Sequence, residues 1–273
     1  MSTEEARVCD DVSPAEWIGP RLTGAIGTVT ATVPAGFDAY IRICHPARDD
    51  DGHWASWSRV AETTGRRPHP LMQWHAVVGT ADCYNMEGSL WPGDDPERGN
   101  VVPRVLGPLC DLLAGHTAKV EECFLGLWEG YGWIRGNPSV TTVSARPIDA
   151  PGTPVATIES DDPVPPLFSA EEMSRARMQL PGRDYLLLAG PLSAALRIGW
   201  HMRPDRFDTQ SPNLFWPADR AWCAASEIDF DSTLVGGTAE LVDAILATPA
   251  LDAWAVRPDD SLMYDADRIN PVG

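Results

Sequence analysis

Three carboxylates, Glu227, Asp229 and Asp231, occupy alternate positions within QSPNLFWPADRAWCAASEIDFDSTLVGG, residues 210–237. If 222–231 is a strand, side chains alternate between its faces. Trp222, Ala224, Ser226, Ile228 and Phe230 then share one side, and Cys223, Ala225 and the three carboxylates share the other. Same-face neighbours on a strand lie roughly 6.5–7 Å apart, close enough to repel and to be relieved by an arginine or a divalent cation. An all-oxygen ligand set favours Mg²⁺, Mn²⁺ or Ca²⁺, and such ions can position a water for hydrolysis. The same alternation also fits an antiparallel sheet with one wet face, where the high dielectric weakens the repulsion.

His45, His69 and His75 form a second set, able to ligate a transition metal or act as a general base. His69 and His75 are six apart, which puts them off a common helix face. His45 and His69 both precede proline, a pattern that equally fits turn geometry. A third set is aromatic: Trp128 and Trp133 with Glu129 between them, and Phe215-Trp216. Rigid rings at a groove anchor a partner or a flat ligand; the same rings in a sheet core are volume. Glu129, if held against an indole, would have a raised pKa and could serve as a general acid. Cys44 beside His45 is not a nucleophile–base pair, because adjacent strand residues point to opposite faces.

The elements that must position these groups follow from period and punctuation. FDAYIRIC (37–44) reads as a strand with Tyr40, Arg42 and Cys44 opposed to Ile41 and Ile43, and 23–36 as a strand or hairpin. Residues 122–134 and 184–191 read as further strands. Helices are expected over 56–65, from Pro70 to Gly79, over 104–116 on a clear apolar stripe, over 192–200, and after Thr238 as N-cap. Capping boxes stand at Ser13–Glu16 and Ser169–Glu172. Strands and helices mix without regular alternation. The expected class is therefore α+β, with a mixed, largely antiparallel sheet flanked by short helices. Residues 136–168 hold seven prolines. They are either a loop of one domain spanning 1–273 or a connection between halves 1–135 and 169–273.

With 39 acidic and 21 basic residues the chain carries a net charge of −18, which disfavours nucleic acid and anionic membrane. Twenty of the basic residues are arginine and one, Lys119, is lysine. No apolar window is long enough to span a membrane. The start lacks the charged and apolar regions of a signal peptide, and the six scattered cysteines have no C-x-x-C spacing, so reduced thiols in the cytoplasm are expected. Phosphate-loop, nucleophile-elbow, zinc-protease, dinucleotide and EF-hand signatures are all absent.

HPA at 45–47, HPLMQWH at 69–75, LWEGYGW at 127–133 and SPNLFWPADRAW…EIDFDSTLVGG at 211–237 resemble an uncharacterised actinobacterial protein family. The resemblance implies a bacterial cytoplasmic setting and carries over no activity and no functional residue. The leading expectation is an acidic interaction protein, immunity- or inhibitor-like, that binds a basic protein partner and needs no cofactor. The alternative is a divalent-metal-dependent hydrolase using Glu227, Asp229 and Asp231, with His75 nearby.

Overall fold

The two-residue period of FDAYIRIC becomes the strand Ala39–Cys44, with Ile41 and Ile43 in one apolar cluster and Tyr40 in another on the opposite face. The computed structural model describes residues 6–81, 83, 87–135, 141–145, 156–160, 166–203 and 206–270. Its main sheet has nine strands: β1 (Arg7–Val8), β2 (Ala39–Cys44), β3 (Cys123–Trp128), β4 (Met178–Leu180), β5 (Arg183–Gly190), β6 (Leu214–Pro217), β7 (Cys223–Ala225), β8 (Ser232–Gly237) and β9 (Ala253–Val256). The order is β1-β5-β3-β6-β7-β8-β2-β9, with β4 pairing β5 at the β1 edge. Every pairing is antiparallel. Strands from before and after 136–168 are therefore interleaved within one sheet. Of that segment, the structure describes an antiparallel pair, Thr141–Ala145 with Ala156–Ser160.

Four helices are long enough to matter here: α1 (Trp57–Thr63), α2 (Trp74–Val78), α3 (Pro103–Ala114) and α4 (Ala239–Leu246). Ser56 and Thr238 cap α1 and α4 by accepting from the Arg59 and Leu241 amides. Gly79 ends α2 at φ 84°, the left-handed conformation glycine adopts without steric cost. On one face of the sheet α3, α4 and the 3₁₀ turn Leu192–Leu196 bury Leu109, Leu113, Leu241 and Ile245 against Ile41, Leu125, Leu188, Phe215, Trp222 and Val235. We call this the helix side. The opposite face packs Trp17, Ile18, Val29 and Val33 against Tyr40, Tyr185, Leu187, Trp216, Cys223 and Leu234. A third cluster, with Trp57, Trp74 and Trp91 at its centre, joins α1 and α2 beside β2. The α+β class and the antiparallel sheet expected from the sequence are present.

Several local expectations change. Residues 23–36 form no strand; they hold a short helix, Val29–Thr32. Its Val29 and Thr30 amides donate to the carbonyls of Asp260 and Pro258, and Leu262 donates back to Gly27. Pairing with the far end of the chain overrides the β propensity of Thr and Val. The expected capping box at Ser13 is not made, since its hydroxyl and amide both turn to Asp11, whereas the one at Ser169 is complete. The helix expected from Pro70 begins only at Trp74. Beyond Trp128 the expected third strand gives way to a 3₁₀ turn, Gly132–Arg135.

Candidate functional site

The strand expected over 222–231 covers Cys223–Ala225 alone. Its alternation is as expected for four residues, with Trp222 and Ala224 facing the helix side and Cys223 and Ala225 facing away. Residues 226–231 then form the connection to β8, so the three carboxylates sit on a loop, not in a strand row. Arg183, in the β4–β5 hairpin, reaches across to this loop. Its Nη2 donates to Glu227 Oε1 and to Asp229 Oδ2, both at 2.7 Å. Asp231 points elsewhere, with its Oδ1 3.7 Å from Nη2 of Arg42. Arginines thus take the place the sequence left open for a divalent ion. Among the described residues no three His, Cys, Asp or Glu side chains gather as metal ligands.

Arg42 explains much of the local build. It is 1% exposed, a charge at a strand position that otherwise reads as core, and every nitrogen is used. Nε donates to Ser232 Oγ, Nη1 to the carbonyls of Pro70 and Met72, and Nη2 faces Asp231. These bonds draw 70–75 over the end of β2 and β8. Burial raises the Asp231 pKa, opposed by the positive charges of Arg42 and then Arg98.

The loop is anchored from behind by a buried polar hub. Gly99 donates to the Phe230 carbonyl, and its own carbonyl accepts from Tyr131 Oη at 3.2 Å and Gln210 Nε2 at 3.0 Å. Asn213 Nδ2 donates to Tyr131 Oη at 2.9 Å, while its Oδ1 accepts from the Trp128 amide. Only glycine fits at 99, where φ is 65° and a Cβ would lie 2.7 Å from Cα of Ile228.

In front of the loop, on the face away from the helix side, lies a cleft of about 740 Å³. Leu22, Ile26, Leu180, Phe230, Leu262 and Met263 supply most of its apolar wall, and Gln73, Trp74, His75, Arg98, Tyr185 and Asp231 its polar or amphipathic part. Two of these side chains are only 7% exposed yet leave a polar atom unused. Tyr185 Oη has no protein partner, and burial followed by the Glu227 charge raises its pKa. Gln73 Nε2 donates to the Leu71 carbonyl, which identifies it as the nitrogen and leaves Oε1 without a donor. Neither Tyr185 nor Gln73 was marked by the sequence; both sit in apolar runs where they read as packing.

The histidines do not converge. His45 is fully buried, and the Glu97 carbonyl, 2.7 Å from Nδ1, can only accept, so Nδ1 carries the proton. Nε2 then accepts from Thr233 Oγ1 at 2.8 Å, and Thr233, its proton spent, accepts from Ser226 Oγ at 2.7 Å. Desolvation pushes the His45 pKa down to about 4, so this chain ties β2, β7 and β8 together and is a poor proton acceptor. His69 pairs with Asp267 at 2.8 Å. Of the three, His75 alone lines the cleft.

The aromatic candidates divide in the same way. Phe215 and Trp216 are fully buried on opposite sheet faces and act as core. Trp133 is stacked between Tyr131 and Trp200, with centroids 5.8 and 5.0 Å away. Trp128 lies under the Arg183 guanidinium at 5.6 Å. Glu129, read as a possible acid against an indole, is instead the partner of Arg177 at 2.7 Å. Burial makes five of the cysteines poor nucleophiles: it pushes the Cys9 thiol up to about 11 and those of Cys110 and Cys123 to about 12, and raises Cys44 and Cys223 further, while the half-buried Cys83 lines the cleft.

No helix among the described residues is long and apolar enough to cross a membrane. No protein-family model, curated protein or solved structure matches this chain.

Proposed function

We propose that this protein binds a small organic molecule in the cleft in front of 226–231. One observation carries the reading: a concave, largely apolar cleft onto which Tyr185 Oη and Gln73 Oε1 open, each without a hydrogen-bond partner among the described residues. An apolar concavity with a few polar groups facing into it is the usual form of a small-molecule site. The cleft volume, about 740 Å³, also falls in the usual range for such sites, roughly 300–1,000 Å³.

The test is a titration with Nile red, an uncharged aromatic dye that brightens in apolar surroundings. Saturable binding by the wild type is expected. Loss of that binding is expected in Thr32→Trp, which fills the cleft from a half-buried wall position. Equal binding by a folded Thr32→Trp variant would rule the cleft out as the site.

A second reading keeps the acidic surface as the functional feature, with a basic protein as partner. It rests on the net charge of −18, which speeds encounter with a cationic protein and makes the rate fall with salt. Immobilised protein should retain a basic partner from native lysate at low ionic strength and release it as salt rises. Retention of nothing at low salt argues against it. A divalent-metal hydrolase built on Glu227, Asp229 and Asp231 would first have to displace Arg183 from two of them.

A further inference from the structure

Given that the cleft holds a ligand, its carboxylates differ in what they can do to that ligand. Glu227 and Asp229 are each bonded to Arg183 at 2.7 Å. Asp231 is not tied in that way. Its side chain is 18% exposed and lines the cleft, and its ionic contact with Arg42 is 3.7 Å long, beyond hydrogen-bond distance. Arg42 is held off by its own bonds to Ser232, Pro70 and Met72, and Arg98 by the bond from its Nη2 to the Cys83 carbonyl at 3.0 Å. Among the described residues no donor of another residue lies within hydrogen-bond distance of this carboxylate, and its own amide is the one that turns to it.

A carboxylate in that state differs from one on the surface. Hydrogen bonds to the charged form make a carboxylate a weaker base and a weaker nucleophile. Asp231 lacks such bonds from other residues, and burial raises its pKa against the charges of Arg42, Arg98 and His75. Leu22, Leu180, Phe230 and Leu262 wall the same space, where an apolar body can lie and displace water. We infer that Asp231 is a nucleophilic carboxylate and that the cleft takes apolar-bodied electrophiles of the epoxide class. An Asp231 oxygen forms a bond to one ring carbon, the bond from that carbon to the ring oxygen breaks, and the freed oxygen takes a proton from water. The hydroxide equivalent left by that transfer hydrolyses the ester, releasing a diol and returning the carboxylate.

The test uses para-nitrophenyl glycidyl ether, an epoxide on an apolar aromatic body, with the full chain in a Cys83→Ala background that removes the competing thiol of the cleft. Consumption of the epoxide is followed by chromatography, and acid-quenched protein is mapped by mass spectrometry. Consumption is expected to be at least about tenfold faster than in Asp231→Asn, the effect of holding the ring against a nucleophile, with the ester found on Asp231. Asp231→Asn also disturbs Arg42, so Nile red binding is used to show that this variant is folded. Thr32→Trp keeps Asp231 and closes the cleft, and should lose the ester and the fast consumption together.

Consumption at one rate in all three proteins, with Nile red lost in Thr32→Trp, overturns the role of Asp231 alone. Adducts confined to His75 or to surface carboxylates do the same. Nile red binding that survives in a folded Thr32→Trp variant overturns the cleft reading, and the role of Asp231 falls with it.

Discussion

On the helix side of the sheet one chain of buried polar groups closes on itself: Ser226 donates to Thr233, Thr233 to His45, and His45 to the Glu97 carbonyl, over distances of 2.7–2.8 Å. On the opposite face Arg42 uses all its nitrogens, but its counter-ion stands off at 3.7 Å, and Tyr185 and Gln73 each end in an unpaired atom. Both faces are buried and both carry polar groups. The difference is one of access: the unbonded Trp133 Nε1 on the helix side is sealed in packing, whereas Tyr185 Oη and Gln73 Oε1 open onto a cleft. Unpaired polar atoms therefore occur on both faces, and what distinguishes those of Tyr185 and Gln73 is that a solute can reach them.

The comparison can be broken by substitution, beginning with its largest element. Arg42→Ala removes the charge that holds 70–75 and faces Asp231. Breaking a buried pair of this kind costs about 3–5 kcal/mol, so chemical denaturation should show a loss of that order. A loss under about 1 kcal/mol would mean that Arg42 does not organise this face.

The helix side should show its weakness in acid. His45 is neutral in the fold, with a pKa of about 4 against 6.5 when unfolded. Its contribution is present in full above pH 6.5, where neither state binds the proton. It is lost as the pH falls towards 4, because only the unfolded state protonates in that window. At roughly 1.4 kcal/mol per pKa unit the loss is about 3 kcal/mol. The difference in pH dependence between wild type and His45→Gln isolates it from the carboxylates, and parallel curves would count against the buried neutral histidine.

Gly99→Ala strikes the hub between the two faces. Its φ of 65° and the 2.7 Å approach to Ile228 should cost about 1–3 kcal/mol, and weaker Nile red binding should accompany it as 226–231 shifts. The smallest effect is expected at the rim. Asp229 is 72% exposed and Arg183 keeps Glu227 when it is lost. Asp229→Asn should therefore change stability by less than about 1 kcal/mol.

Part of the sheet, β2, β3, β5 and the start of β7, was legible in the sequence because period and capping are local, whereas β1, β4, β6, β8 and β9 are short or uniformly buried and gave no alternation to read. Ile41 and Ile43 against Tyr40, Arg42 and Cys44, the stripe of α3, and the caps at Ser169 and Thr238 all appear as read. The carboxylate row was misread for a related reason. A two-residue period survives in a hairpin connection as easily as in a strand, and only the pairing of Ala225 with Leu234 shows where β7 stops. The site itself was hidden. Whether Gln73 or Tyr185 is unpaired depends on neighbours from distant segments, and the partners of Asp231 and Glu227 lie on β2 and β5. A charged residue inside an apolar alternation, Arg42, was the one local sign that a counter-ion had to be sought elsewhere in the chain.

The strand order also sets a timetable. β2 is held between β8 and β9, with Cys44 opposite Ser232 and Ile43 opposite Ala253, and β3 lies between β5 and β6. During synthesis from the N-terminus, both early strands emerge with apolar faces and unbonded edges, and their partners are still unmade. β3 waits for Arg183–Gly190 and β2 for nearly the whole chain. Pairings this distant in sequence close slowly, and waiting strands of this kind are the ones that adhere to other chains. The main sheet therefore cannot close until Ala253–Val256 has been made, and its yield will depend on what shields β2 and β3 until then.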